Sequence, residues 1–253
     1  MLNYMIMRID IKRNRPIVNI ILVALFVTGS NRAMSQTGVI YFFDKSASVS
    51  FVTNDANCKN ILGKSTSVCS GGNAVLTSFY IHSHTASAKH SNQFKLDGFS
   101  CLTCKSTTTR NNAQKAHRIK IRKQLLSIEA VLYKDLMAKN GFGTQKGTDI
   151  WGIFEVISRT FNGSKGTKHV YLFSDMVHDV SGVKTSPQYK AQAIAEAKAH
   201  AKIIRANYFI NDIALRGTKV VITLPDNAMR TTHNRNLNYY WEELFREFGM
   251  EMM

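Results

Sequence analysis

Residues 38–43 read Gly-Val-Ile-Tyr-Phe-Phe, six positions whose one polar side-chain group is the Tyr41 hydroxyl, and Asp44 ends the run. A continuous apolar segment rich in β-branched and aromatic residues suits a strand covered on both faces. Residues 74–81 (AVLTSFYI), 170–173 (VYLF) and 220–224 (VVITL, stopped by Pro225) are of the same kind. Residues 93–99 are weaker, interrupted by Asp97-Gly98, and suit an edge. Between these runs the period changes. Ile121, Leu125, Ile128, Leu132 and Leu136 form one helical stripe within residues 112–140, and Ile150, Phe154, Ile157 and Phe161 form a second within 148–161. Ser186-Pro187 starts an Ala-rich helix reaching about residue 209. Leu237, Trp241, Leu244 and Phe248 mark a last helix that Gly249 stops. Strands alternating with helices predict an α/β domain with a mainly parallel sheet. Neither a repeat nor a linker divides residues 36–253, so they read as one domain.

The N-terminus reads as an address. Arg8, Lys12, Arg13 and Arg15 precede the apolar run 17–27, and Ala33-Met34-Ser35 offers a small-x-small cut before Gln36. Those are the three parts of a secretory signal, and the apolar run is too short to span a bilayer. The expectation is a cleaved signal over residues 1–35, an exported chain (periplasmic or extracellular), and no stable membrane anchor after cleavage. The whole chain carries 33 Lys and Arg against 17 Asp and Glu, a net +16. Removing residues 1–35, with five cations and one anion, leaves +12, so the partners are expected to be anionic.

Export makes the cysteines disulfide candidates. Cys58, Cys69, Cys101 and Cys104 allow three pairings, of which Cys58–Cys69 with Cys101–Cys104 closes the shortest loops. By ligand type, Cys101, Cys104, His82 and His84 make a competing zinc set, which oxidation would abolish.

In a parallel sheet, functional groups collect beyond the carboxyl ends of the strands. Residues 38–43 are followed there by Asp44-Lys45-Ser46-Ala47-Ser48, and residues 170–173 by Ser174-Asp175; Thr148 opens the 148–161 helix. Oxygen donors of this kind suit a hard cation such as Mg²⁺. Asp44 and Ser46 read alternatively as a polar helix cap, Thr148 as an ordinary N-cap, and Asp149 and Asp179 rival Asp175. The D-x-S-x-S sequence after an apolar strand, the later Thr and the later Asp resemble the metal-ion-dependent adhesion site (MIDAS) of von Willebrand factor type A (vWA) domains. The resemblance covers nearly all of residues 36–253. It implies a Rossmann-like vWA fold, with Mg²⁺ or Mn²⁺ held by Asp44, Ser46, Ser48, Thr148 and Asp175. It also implies a protein partner whose acidic residue completes the coordination shell. Two features differ from the family: a cysteine-bearing insertion follows the first strand, and Met176 stands where Gly often follows the Asp.

A phosphatase of the haloacid-dehalogenase type would need a second Asp two residues after Asp44, where Ser46 stands. With no G-x-S-x-G elbow and no P-loop either, the expectation is a binding protein and not an enzyme. Lys115, Arg118 and Arg122 share a helix face and are candidates for contact with an anion or polyanion. Lys198, Lys202 and Arg205 form a second basic stripe. The two functional readings are an exported, metal-dependent adhesion module and a basic, metal-independent interaction protein of an envelope or DNA-transfer assembly.

Overall fold

A computed structural model describes residues 35–46, 49–51, 55–138, 147–180, 185–226, 228 and 233–253. The described strands are β1 (Thr37–Asp44), β2 (Ala74–Ile81), β3 (Asn92–Leu96), β4 (Lys168–Phe173), β5 (Thr218–Thr223) and β6 (Glu251–Met252). They form one sheet in the order β3-β2-β1-β4-β5-β6. Every neighbouring pair is parallel except β2 with β3. The helices are α1 (Asp55–Ser67), α2 (Thr107–Met137), α3 (Gly152–Thr160), α4 (Lys190–Asn207), α5 (Asp212–Leu215) and α6 (Asn236–Glu247). The architecture is the expected α/β fold with a mainly parallel sheet flanked by helices.

β1 lies between β2 and β4, which explains its unbroken apolar run. Alternate residues face opposite layers. Ile40 and Phe42 pack with residues of α3, α4 and α6, including Phe154, Ala197 and Trp241. Val39, Tyr41 and Phe43 pack with Leu62 of α1 and with Ile121, Leu125, Ile128, Leu132 and Leu136 of α2. Tyr41 stacks on Tyr171 across the β1–β4 register, with centroids 5.6 Å apart. Its hydroxyl is shared with Ser65 Oγ at 2.9 Å, so the polar tip of a fully buried ring is satisfied.

α1 was not expected from the sequence. It lies between β1 and β2, within the stretch read as a cysteine-bearing insertion, and serves as the crossover that two adjacent parallel strands require. Its buried positions are Cys58, Leu62, Ser65 and Thr66. The spacing is helical, but one large hydrophobe among four residues leaves no legible stripe.

Candidate metal centre at the carboxyl edge of the sheet

Parallel register assembles this edge. Phe43 is level with Phe173, so the next residues, Asp44 and Ser174, come side by side at the strand ends. Ser174 Oγ donates to Asp44 Oδ2 at 2.6 Å, and the Ser46 N–H donates to Oδ1 at 2.9 Å. Ser174 is fully buried and Asp44 is 4% exposed. Burial raises the Asp44 carboxyl above its ordinary pKa. The two serine contacts oppose that rise, and the nearby Asp179 charge adds to it. Among the described residues, no basic side chain forms an ion pair with Asp44 or Asp179.

Lys45 forms no ion pair with its neighbour. Its Nζ turns to the other end of α2, donating to the carbonyls of Asp135, Leu136 and Ala138 at 2.6, 3.1 and 2.8 Å. There it meets the negative pole of a 31-residue helix; burial lowers its pKa, opposed by the charges of Asp135 and Asp44.

Thr148 is buried and joins the site through Asp179. The Thr148 N–H donates to Asp179 Oδ1, and the Asp179 N–H returns to the Thr148 carbonyl at 3.3 Å. Gly147 makes this approach possible. It sits at φ +92°, and a Cβ there would lie 3.3 Å from Asp179 Oδ1. The side chain that meets the start of α3 is that of Asp149, not Thr148. Asp149 Oδ1 accepts from the Gly152 N–H at 2.9 Å and from the Tyr208 hydroxyl at 2.8 Å, while Oδ2 accepts from the Ala86 N–H at 3.4 Å. Asp149 is therefore a latch between loops and helices. His178, beside Asp179, is 3% exposed and stacks on Trp151 with centroids 4.1 Å apart. Burial lowers its pKa, which favours the neutral ring.

Asp175 Oδ1 accepts from the Val177 N–H at 3.0 Å, and the hydrogen bonds described here tie Asp179, rather than Asp175, to Thr148. Met176 adopts φ +58° and is 2% exposed. That is the backbone conformation glycine favours, and the Met side chain fills the core below. The left-handed backbone costs about 1–2 kcal/mol, which burial of a Met, about 1.5–3 kcal/mol, offsets. Ser48 lies outside the described residues.

The structure thus brings Asp44, Ser46, Ser174, Thr148 and Asp179 to one edge. Among the described residues, no three His, Cys, Asp or Glu side chains converge as a metal-holding group, so a site here needs hydroxyl oxygens as well. The donor chemistry fits a hard divalent cation: two carboxylates without a basic partner, beside Ser and Thr hydroxyls. Sequence reasoning placed Ser174 among the oxygen donors without assigning it to the site, and missed Lys45. Ser174 follows its strand as visibly as Asp175, but only the register shows that it abuts Asp44.

The cysteines divide. Cys101 and Cys104 form a disulfide, which removes both from the zinc set. Cys58 and Cys69 are free and buried, which overturns their expected pairing. Cys58 lies in the first turn of α1 and Cys69 just beyond its end. The nine residues from Cys58 to Ser67 rise about 13 Å, whereas a disulfide needs Cα atoms within about 7 Å. Burial pushes the Cys58 thiol up to about 11 and the Cys69 thiol to about 12.

Lys115, Arg118 and Arg122 are exposed on α2. Two of the three cations in the second basic stripe are engaged. Lys198 pairs with Glu243 at 3.6 Å, and Arg205 pairs with Asp212 at 3.2 Å and donates to the Glu247 carbonyl at 2.6 Å. Among the described residues, no helix is long and apolar enough to cross a membrane.

No family model and no curated protein matches the chain. Among solved structures it is similar to the pilus adhesin SpaC of Lactobacillus rhamnosus GG, at 13% identity and a TM-score of 0.41, covering 87% of this chain and 28% of that one. It is similar to the human COPII-coat protein Sec24c at 8% identity and 0.39, covering 87% and 29%. A third similarity is to the manganese-loaded TRAP protein of Plasmodium vivax at 14% identity and 0.30, covering 74% and 57%. The chain spans less than a third of the first two. These likenesses are too distant to carry a statement about what it binds.

Proposed function

We propose that the chain is an exported protein-binding module of the vWA kind. In this reading a Mg²⁺ or Mn²⁺ ion sits at the carboxyl edge of the sheet, and a partner's acidic residue completes its coordination. The observation that carries the reading is Asp44: a carboxylate 4% exposed at the end of the central strand, without a basic partner among the described residues, and with its pKa raised by burial. A buried charge left unbalanced costs several kcal/mol, and a divalent ion would remove that cost. Asp44 and Asp179 supply anionic oxygens, Asp175 is a further candidate, and Ser46, Ser48 and Thr148 supply neutral ones that leave the ion electrophilic. Binding is preferred to catalysis because Ser46 stands where a general acid would be needed. The Cys101–Cys104 disulfide supports an oxidising compartment.

The test is thermal melting of the full chain in EDTA and in millimolar MgCl₂ or MnCl₂. The ion is expected to raise Tm in the wild type and to have no effect on Asp44→Ala. An unresponsive wild type would refute the metal dependence.

A further inference from the structure

α1 and α2 enclose a groove of about 580 Å³ at the edge of the sheet opposite Asp44, lined in part by Arg118, Arg122, Leu125, Leu126 and Glu129. α1 returns from the end of β1 to the start of β2, so its C-terminal turn lies beside the amino end of β2. Arg118 and Arg122 stand one helical turn apart, with no hydrogen bond or ion pair among the described residues. A structural use for them would be to cap α1, whose last carbonyls point this way. That use is already largely filled: the Ser67 hydroxyl donates to the Lys64 carbonyl at 2.6 Å, and the N–H groups of Cys69 and Ser70 donate to the carbonyls of Thr66 and Ser67, each at 3.0 Å. Two guanidinium forks are therefore left facing solvent beside an apolar floor, in contrast to Lys198 and Arg205 of α4.

We infer that this groove docks an acidic, amphipathic segment of a partner protein, independently of any metal. Three features select that occupant. Leu126 is 59% exposed, as is Ile119 two turns before it on the same face, and a sugar-phosphate backbone gains nothing from covering them. No aromatic side chain lines the groove, so a nucleic-acid base finds no stacking platform there. Glu129 closes the far end, where a Cβ at Gly63 would lie 3.6 Å from its Oε1, and it would repel a phosphate. From Arg122 to Glu129 is seven residues, about 10 Å along α2 and on one face. The fitting segment carries a pair of carboxylates, then apolar side chains, then a cation about 10 Å further on.

The experiment pans a displayed peptide library against the full chain in EDTA, with Arg118→Glu/Arg122→Glu as counter-selection. Enriched peptides are then measured by fluorescence anisotropy. Carboxylate pairs followed by apolar residues and a Lys or Arg are expected, binding at least tenfold more weakly to the double variant. Peptides reversed in charge at the paired positions should recover affinity for that variant. The inference is overturned by no enrichment, by peptides indifferent to both substitutions, or by Arg118- and Arg122-dependent binding confined to a DNA oligonucleotide or to phosphatidylserine vesicles. Because EDTA is present throughout, the outcome does not depend on the cation site.

Discussion

Asp44→Asn separates a carboxylate that awaits a cation from one that merely anchors a loop. In the folded protein Asp44 is 4% exposed and accepts two hydrogen bonds, from Ser174 Oγ and the Ser46 N–H. Asn keeps its one acceptor oxygen for the Ser46 N–H and turns its NH2 to the Ser174 hydroxyl, so that one bond becomes neutral and the other reverses, with Asn donating; each change loses about 1 kcal/mol. Removing the charge relieves a desolvation cost of several kcal/mol together with the repulsion from Asp179. The raised pKa shows that burial dominates, so Asn is expected to stabilise the metal-free protein by about 1 kcal/mol, or 2–4 °C in a chain of this size. The pH sign follows. A group whose folded pKa lies above its ordinary 3.8 stabilises fully below 3.8, and that stability is lost as pH rises through the folded value. The advantage of Asn should therefore shrink on acidification and vanish below pH 3.8. With the ion at a hundredfold excess over its dissociation constant, the wild type gains about 2.7 kcal/mol, and the order of the two proteins inverts. Differential scanning calorimetry of both proteins in EDTA and in Mg²⁺, at pH 7 and pH 4, reads all four terms. A variant that melts below the wild type in EDTA, or that responds equally to Mg²⁺, would show that Asp44 is an anchor.

Lys45→Met removes three hydrogen bonds from the buried ammonium to the end of α2 but keeps the apolar stem. A loss of about 2–3 kcal/mol is expected in urea unfolding, with the metal response intact; an unchanged midpoint would dismiss the capping role. For the cysteines, Ellman's reagent should find no reactive thiol in the native protein, two after denaturation, and four after reduction as well. Two native thiols would contradict the burial of Cys58 and Cys69.

The sheet was legible because burial on both faces writes itself as unbroken apolar runs, and β1, β2, β4 and β5 all carry one. α2, α3 and α6 were legible for a related reason, since each shows a regular apolar stripe to one layer. α1 was not, because it meets the sheet through Cys58, Ser65 and Thr66, small or polar residues that pack well but carry no periodic hydrophobic signal. The site divides along the same line. Asp44 and Thr148 stand out by their places after a strand and before a helix. The partnership of Asp44 with Ser174 depends on strand register, and that of Thr148 with Asp179 depends on loop path; both are tertiary facts without local signature. The two basic stripes have similar spacing in sequence, and only the position of Glu243 and Asp212 distinguishes the engaged stripe from the spare one.

Parallel strands place the two proposed binding sites apart by construction. A crossover helix must begin near the carboxyl end of one strand and finish near the amino end of the next, so the end of α1 and the Asp44 edge are separated by the length of β1. Eight residues at about 3.3 Å each make that about 26 Å, three times the screening length at physiological ionic strength. A cation arriving at Asp44 would therefore leave the field at Arg118 and Arg122 almost unchanged. If binding at the groove nevertheless rose with Mg²⁺, the coupling would have to run mechanically. The continuous path is Lys45, which follows Asp44 in the chain and grips the far end of α2; in that case Lys45→Met would abolish the Mg²⁺ effect while sparing the groove itself.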